Sequence, residues 1–183
     1  LPDAAVQEAL APQVDRLAAL IGNRRDVTLA PQGLSVWQRA QRVLQSSEAW
    51  QTFEPWLNAC NPRMAFAVAR SLIQGSMITD AERSAASLMR IEARARLARL
   101  LSPGTILCLP TTPFPAPLRG LPLGALHPLR ERIACLTSHG GLTGVPQVNL
   151  PGALVDGAPV GLSILGARGA DLDLLRTAVA LEG

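Results

Sequence analysis

The sequence contains no lysine and no tyrosine: all seventeen basic residues are arginine. A guanidinium stays protonated at any ordinary pH, so none of these residues can act as a neutral base. The net charge of +3 is modest, and the arginines are spread along the chain apart from a cluster at 83–99. That cluster reads as the solvated face of a helix, and no nucleic-acid partner is expected. No apolar run approaches the roughly 18 residues of a membrane span, so no membrane partner is expected either. No basic stretch followed by an apolar core opens the chain, which gives no sign of a secretory leader. The three cysteines, Cys60, Cys108 and Cys135, lie far apart, with neither a pairing pattern nor zinc spacing. They suggest reduced thiols and a cytoplasmic setting. His127 and His139 lack the companions a metal site needs. Neither a metal nor a cofactor is expected.

What is present is a large apolar fraction, 48% of 183 residues, too high for a disordered chain. Such a length suits one domain burying roughly 70% of its unfolded surface. Its organising stretch runs from Pro103 to Gly166. Thr105-Ile106-Leu107-Cys108-Leu109 is a short apolar run stopped by Pro110-Thr111-Thr112-Pro113. A run of that kind fits a strand covered on both faces, as in the α/β class. Farther on, Gly144-Val145-Pro146 leads into a strand around Val148-Asn149-Leu150. The turn Asp156-Gly157 then joins it to Pro159–Gly166 as a hairpin.

Helical periodicity surrounds this stretch. Val6, Leu10, Val14, Leu17 and Ile21 form one stripe, with Asp3 as N-cap and Gly22 ending the helix. Asp26–Ala30 alternates like a short strand. Two capping boxes are expected, Ser35 with Gln38 and Thr79 with Glu82. Residues 46–66 hold Trp50, Phe53, Trp56 and Phe66, readable as a helical flank over the sheet or as a wall of a substrate entrance. In the helix after Thr79, Ala85, Leu88, Ile91, Ala95 and Ala98 are assigned to the buried face, and Glu92 can pair with Arg96. A further helix is placed over 129–138. A last one spans 171–182, with Leu172, Leu175 and Val179 as its apolar positions and Leu174 as another candidate. Cys108 reads as a core thiol, and Cys135 could share a helix face with His139.

Several landmarks, in order, carry a resemblance. Gly75, then Ile78-Thr79-Asp80 and a long helix, then Leu107–Pro113 and Ala116-Pro117 come first. Leu142-Thr143-Gly144-Val145-Pro146, Leu150-Pro151, Pro159-Val160-Gly161-Leu162 and the closing Asp171…Leu174-Leu175…Glu182 follow. Together they resemble the C-terminal half of amidase signature enzymes, over nearly the whole of residues 1–183. The family often has Asp where Thr105 stands, Asn near Gly141 and Gln where Ser163 stands; these positions bear on loop anchoring and pocket polarity.

The resemblance implies part of an α/β/α sandwich around a mixed central sheet, with helices on both faces. It also implies amide C–N hydrolysis by a Ser–Ser–Lys triad, in which a neutral lysine draws the proton from the nucleophilic serine through a second serine. No residue here matches that triad: lysine is missing, and Ser46-Ser47 has no flanking glycines. The catalytic residues are therefore expected upstream of this chain, with none within it. The loop Thr111-Thr112-Pro113-Phe114 is expected to border a small-molecule amide substrate. The expected partners are the upstream catalytic half of the same protein or further copies of the chain as a homo-oligomer. A glutaminase-type component of an amidotransferase and a noncatalytic remnant of the fold stand as alternative readings.

Overall fold

A computed structural model describes residues 2–182. Helix α1 (Ala4–Ile21) buries Val6, Leu10 and Leu17 of the expected stripe, with Val14 half-buried and Ile21 exposed at its end, and Gly22 closes it by donating its N–H to the Ala18 carbonyl at 2.8 Å. Asp3 occupies the N-cap position, but its carboxylate makes no capping hydrogen bond and pairs with Arg132 at 2.5 Å. The strand expected at 26–30 does not form. Arg96 reaches this segment instead, donating to the Thr28 carbonyl at 2.6 Å and the Leu29 carbonyl at 3.4 Å. Backbone acceptors satisfied by a guanidinium have no need of a ladder partner, and the same contacts turn Arg96 away from Glu92.

Three helices follow, α2 (Leu34–Cys60), α3 (Phe66–Ser76) and α4 (Asp80–Leu100). Gly33 is the N-cap of α2, so Ser35 lies inside the first turn and the capping box expected there is absent. The box at α4 is formed: the Thr79 N–H donates to Glu82 Oε2 at 2.8 Å, and the Glu82 N–H to Thr79 Oγ1 at 3.2 Å. The C-terminal half of α2 does not cover the sheet. It packs on neighbouring helices, leaving Phe53 and Trp56 half exposed and edge to face at 6.4 Å.

The buried face of α4 is Ala86, Ala93, Leu97 and Leu100, whereas Leu88 and Ile91 are 64% and 62% exposed. Periodicity in this helix supports two stripes. The one holding Ala86 and Ala93 faces inward because small side chains let α4 approach α2 closely.

The last part of the chain supplies β1 (Leu107–Pro110), α5 (Leu123–Thr143), β2 (Gln147–Val155), β3 (Ala158–Leu165) and α6 (Asp171–Glu182). Helix α5 is longer at both ends than the span 129–138 expected for it. In α6 the buried residues are Leu174, Ala178 and Leu181, while Leu172, Leu175 and Val179 are exposed. The three strands form an antiparallel sheet in the order β1-β3-β2. Asp156 and Gly157, with φ of 51° and 76°, make the two-residue turn joining β2 to β3. Positive φ at both positions matches the right-handed twist of a hairpin.

Alternation splits the sheet into two faces. Cys108, Val148, Leu150, Val160, Leu162 and Ile164 point to one side, where α1 and α6 cover them. Gln13 of α1 secures this layer by donating to the Pro151 carbonyl at 2.9 Å. Leu107, Leu109, Gln147, Asn149, Ser163 and Leu165 point to the other side. There Leu107 meets the cluster built by α2, α4 and α5. The chain is thus an α/β domain with helices on both faces of its sheet, as expected.

Candidate functional site

The second face of the sheet is apolar near Leu107 and polar where β1 ends. Beyond Pro110 the Thr111 N–H donates to the Gly161 carbonyl at 2.9 Å, extending the ladder by one residue. Alternation then places the Thr111 hydroxyl beside Ser163. Thr111 Oγ1 donates to Asn149 Oδ1 at 2.5 Å and lies 2.8 Å from Ser163 Oγ, which accepts from Gln147 Nε2 at 2.8 Å. Ser163 is fully buried, Thr111 and Gln147 are half-buried, and Asn149 is exposed. The cluster thus runs from the interior to the surface.

The other residues of the predicted loop do different work. Thr112 Oγ1 donates to the Phe114 carbonyl at 3.0 Å, and the Pro113 carbonyl accepts from the Asp3 N–H at 2.8 Å. Arg132 of α5 stands 5.0 Å from the centre of the Phe114 ring while it pairs with Asp3. Of the four residues expected at a substrate border, Thr111 joins the polar cluster. Thr112, Pro113 and Phe114 seat the loop against the start of α1 and the middle of α5.

Behind the cluster lies His139 of α5, fully buried. Burial pushes its pKa down to about 4, while the neighbouring Gln147 amide acts weakly in the opposite direction. Neither ring nitrogen reaches a partner at hydrogen-bonding geometry. Cys135 lies one turn earlier, and burial raises its thiol, with Glu131 acting in the same sense. A nucleophilic Cys–His pair needs thiolate and imidazolium side by side. Here burial opposes both charges. Cys108 is raised by burial too, as suits a core thiol. Among the described residues no group of three or more His, Cys, Asp or Glu side chains is placed to hold a metal ion.

Sequence reasoning does not single out Gln147 and Asn149. The signal is there in Gln147-Val148-Asn149-Leu150, whose polar members fall on one face and apolar members on the other. Chemically, the cluster offers hydroxyls and carboxamides only. It can orient and discriminate a polar ligand, but it holds no group able to take a proton from a serine near neutral pH.

No family model matches the chain. Amidase 1 of Oryza sativa subsp. japonica is 32% identical over 143 residues, which are 78% of this chain and 33% of that protein. The A subunit of glutamyl-tRNA(Gln) amidotransferase from Thermus thermophilus is 31% identical over 134 residues, 70% of this chain and 28% of the relative. Translocon at the outer membrane of chloroplasts 64 of Pisum sativum is 25% identical over 171 residues, 93% of this chain and 29% of that protein. The chain thus spans about a third of the length of these curated relatives. Among the described residues no helix is long and apolar enough to cross a membrane.

A solved amidase structure superposes with a TM-score of 0.80 at 30% identity, covering 99% of this chain and 42% of that one. A bacterial aryl acylamidase of the amidase signature family superposes with a TM-score of 0.77 at 20% identity, covering 100% and 41%. In sequence and in fold, then, the chain is a partial piece of the amidase signature family, corresponding to its C-terminal part.

Proposed function

We propose that this chain is the C-terminal part of an amidase that hydrolyses a carboxamide C–N bond, with its Ser–Ser–Lys residues in an upstream half. The observation that carries this reading is the pairing of two facts. The chain is 32% identical to an amidase over most of its own length, yet has no lysine to serve as the family's base. Its contribution is to shape and polarise the pocket: Thr111 anchors the polar cluster on the substrate side, and Thr112, Pro113 and Phe114 hold the loop in place.

The partner of this piece is the upstream half, and the open side of the sheet supports that assignment. Among the described strands β1 pairs with β3 alone, so its outer edge is free. A cleft of about 740 Å³ runs along this edge, walled by Leu10, Val14, Leu17 and Ile21 of α1 and by residues 22–27. A free edge beside an apolar wall favours the addition of further strands. The free thiols of Cys60, Cys108 and Cys135 suit a reducing, cytoplasmic compartment. Likeness to the amidotransferase component favours a second reading, a glutaminase that passes ammonia to a partner.

The test is ammonia release from a panel of amides. The purified chain alone should give background rates, and activity should appear when the upstream half is supplied by co-expression or covalently. Turnover by the lone chain, abolished by replacing one of its own serines or Cys135, would overturn the proposal.

A further inference from the structure

The polar cluster has a direction. Ser163 Oγ accepts from Gln147 Nε2, so the serine's own proton is available for Thr111 Oγ1. The Thr111 proton goes on to Asn149 Oδ1. One orientation satisfies every member: Gln147 donates to Ser163, Ser163 to Thr111, and Thr111 to Asn149. In a chain of this kind each bond polarises the next, which strengthens the last one.

The consequence falls on Asn149. Its carbonyl oxygen is consumed internally, and among the described residues no group accepts from its amide nitrogen. Gly161 adds a second constraint, because a Cβ at that position would collide with Asn149 Oδ1. The Asn149 carboxamide lies over bare backbone, in a space that only a glycine leaves open. Its oxygen is tethered to Thr111, and its two N–H donors are left without an acceptor among the described residues at an exposed position.

We infer that Asn149 is a specificity-determining residue, presenting an amide N–H to substrates that carry a hydrogen-bond-accepting oxygen in addition to the scissile carbonyl. Gln147, Ser163 and Thr111 are positioning residues that keep the carboxamide from flipping. A free Asn offers either end and discriminates little, whereas a tethered one favours acceptors over donors. This inference rests on the amidase reading above and names the class of substrate its pocket prefers.

The test uses the intact protein and two primary amides of matched size, one with a terminal carbonyl or carboxylate oxygen and one with an alkyl group in its place. The wild type should favour the acceptor-bearing amide in kcat/KM. Asn149→Ala and Asn149→Leu should each cut that preference roughly tenfold, through a raised KM for the acceptor-bearing amide. Ser163→Ala, which breaks the chain without touching the ligand, should give a smaller loss in the same direction. If the wild type hydrolyses neither amide, the amidase reading falls and this inference with it. If the wild type is active and both Asn149 variants keep the wild-type ratio, the inference alone is overturned.

Discussion

Ser163 and Ile164 are adjacent in β3 and both fully buried, yet they belong to different parts of the protein's work. Ile164 points into the layer sealed by α1 and α6, among Leu17, Leu150, Leu174 and Leu181. Ser163 points the other way, into a hydrogen-bond chain that ends at the surface. One face of the sheet is apolar along its length, whereas the other is apolar near Leu107 and carries a polar cluster at its far end, the part assigned to recognition in the proposed function. A strand can serve both because its side chains alternate, so a single residue step exchanges packing for polarity.

The apolar face gives the largest expected effect. Ile164→Ala should cost about 2–5 kcal/mol of unfolding free energy, because its fully buried neighbours cannot collapse into the cavity. Denaturant titration checks this. An m-value unchanged from wild type would show that the native state had lost only packing.

A smaller effect comes from His139, behind the polar face. Its pKa of about 4 when folded lies below its ordinary 6.5, so the unfolded chain takes up a proton that the folded one refuses. The sign follows: stability is intact above about pH 6.5, falls as the pH drops toward 4, and levels off below. The whole effect is at most about 3 kcal/mol. Carboxylates titrate in the same range, so the check is a difference. The slope of unfolding free energy against pH between 4 and 6.5 should be steeper in wild type than in His139→Gln.

How much of this is legible in the sequence depends on how many answers a pattern allows. The β2–β3 hairpin is clear from Asp156-Gly157 between two alternating runs, since few turns tolerate positive φ at both positions. The stripe of α1 is equally clear, because Val6, Leu10 and Leu17 have no rival. In α4 and α6 two apolar stripes compete, and the stripe chosen from sequence, with Leu88 and Ile91 or Leu172 and Val179, is the exposed one. Leucine and isoleucine outweigh alanine in any hydrophobicity pattern, but close helix packing selects alanine.

The segment 26–30 alternates like a strand, yet its carbonyls are claimed by Arg96 from far along the chain, which no local pattern encodes. The loop after β1 is placed by Pro110-Thr111-Thr112-Pro113 as a segment. The separate roles of Thr111 and Phe114 emerge only once β3, α1 and α5 are brought around it.

If the polar cluster serves substrate binding while the apolar face serves stability, Thr111→Val in the intact protein should separate the two. Valine keeps the shape and removes the hydroxyl shared by Asn149 and Ser163. The melting temperature and the steady-state kinetics on several amides should be measured on the same preparation. The variant's melting temperature should stay within about 3 °C of wild type, as expected for a change under about 1 kcal/mol, while its KM rises severalfold and its preference among the amides shifts. A melting temperature lowered well beyond that, with KM and preference unchanged, would show that the polar cluster is structural and contradict this assignment.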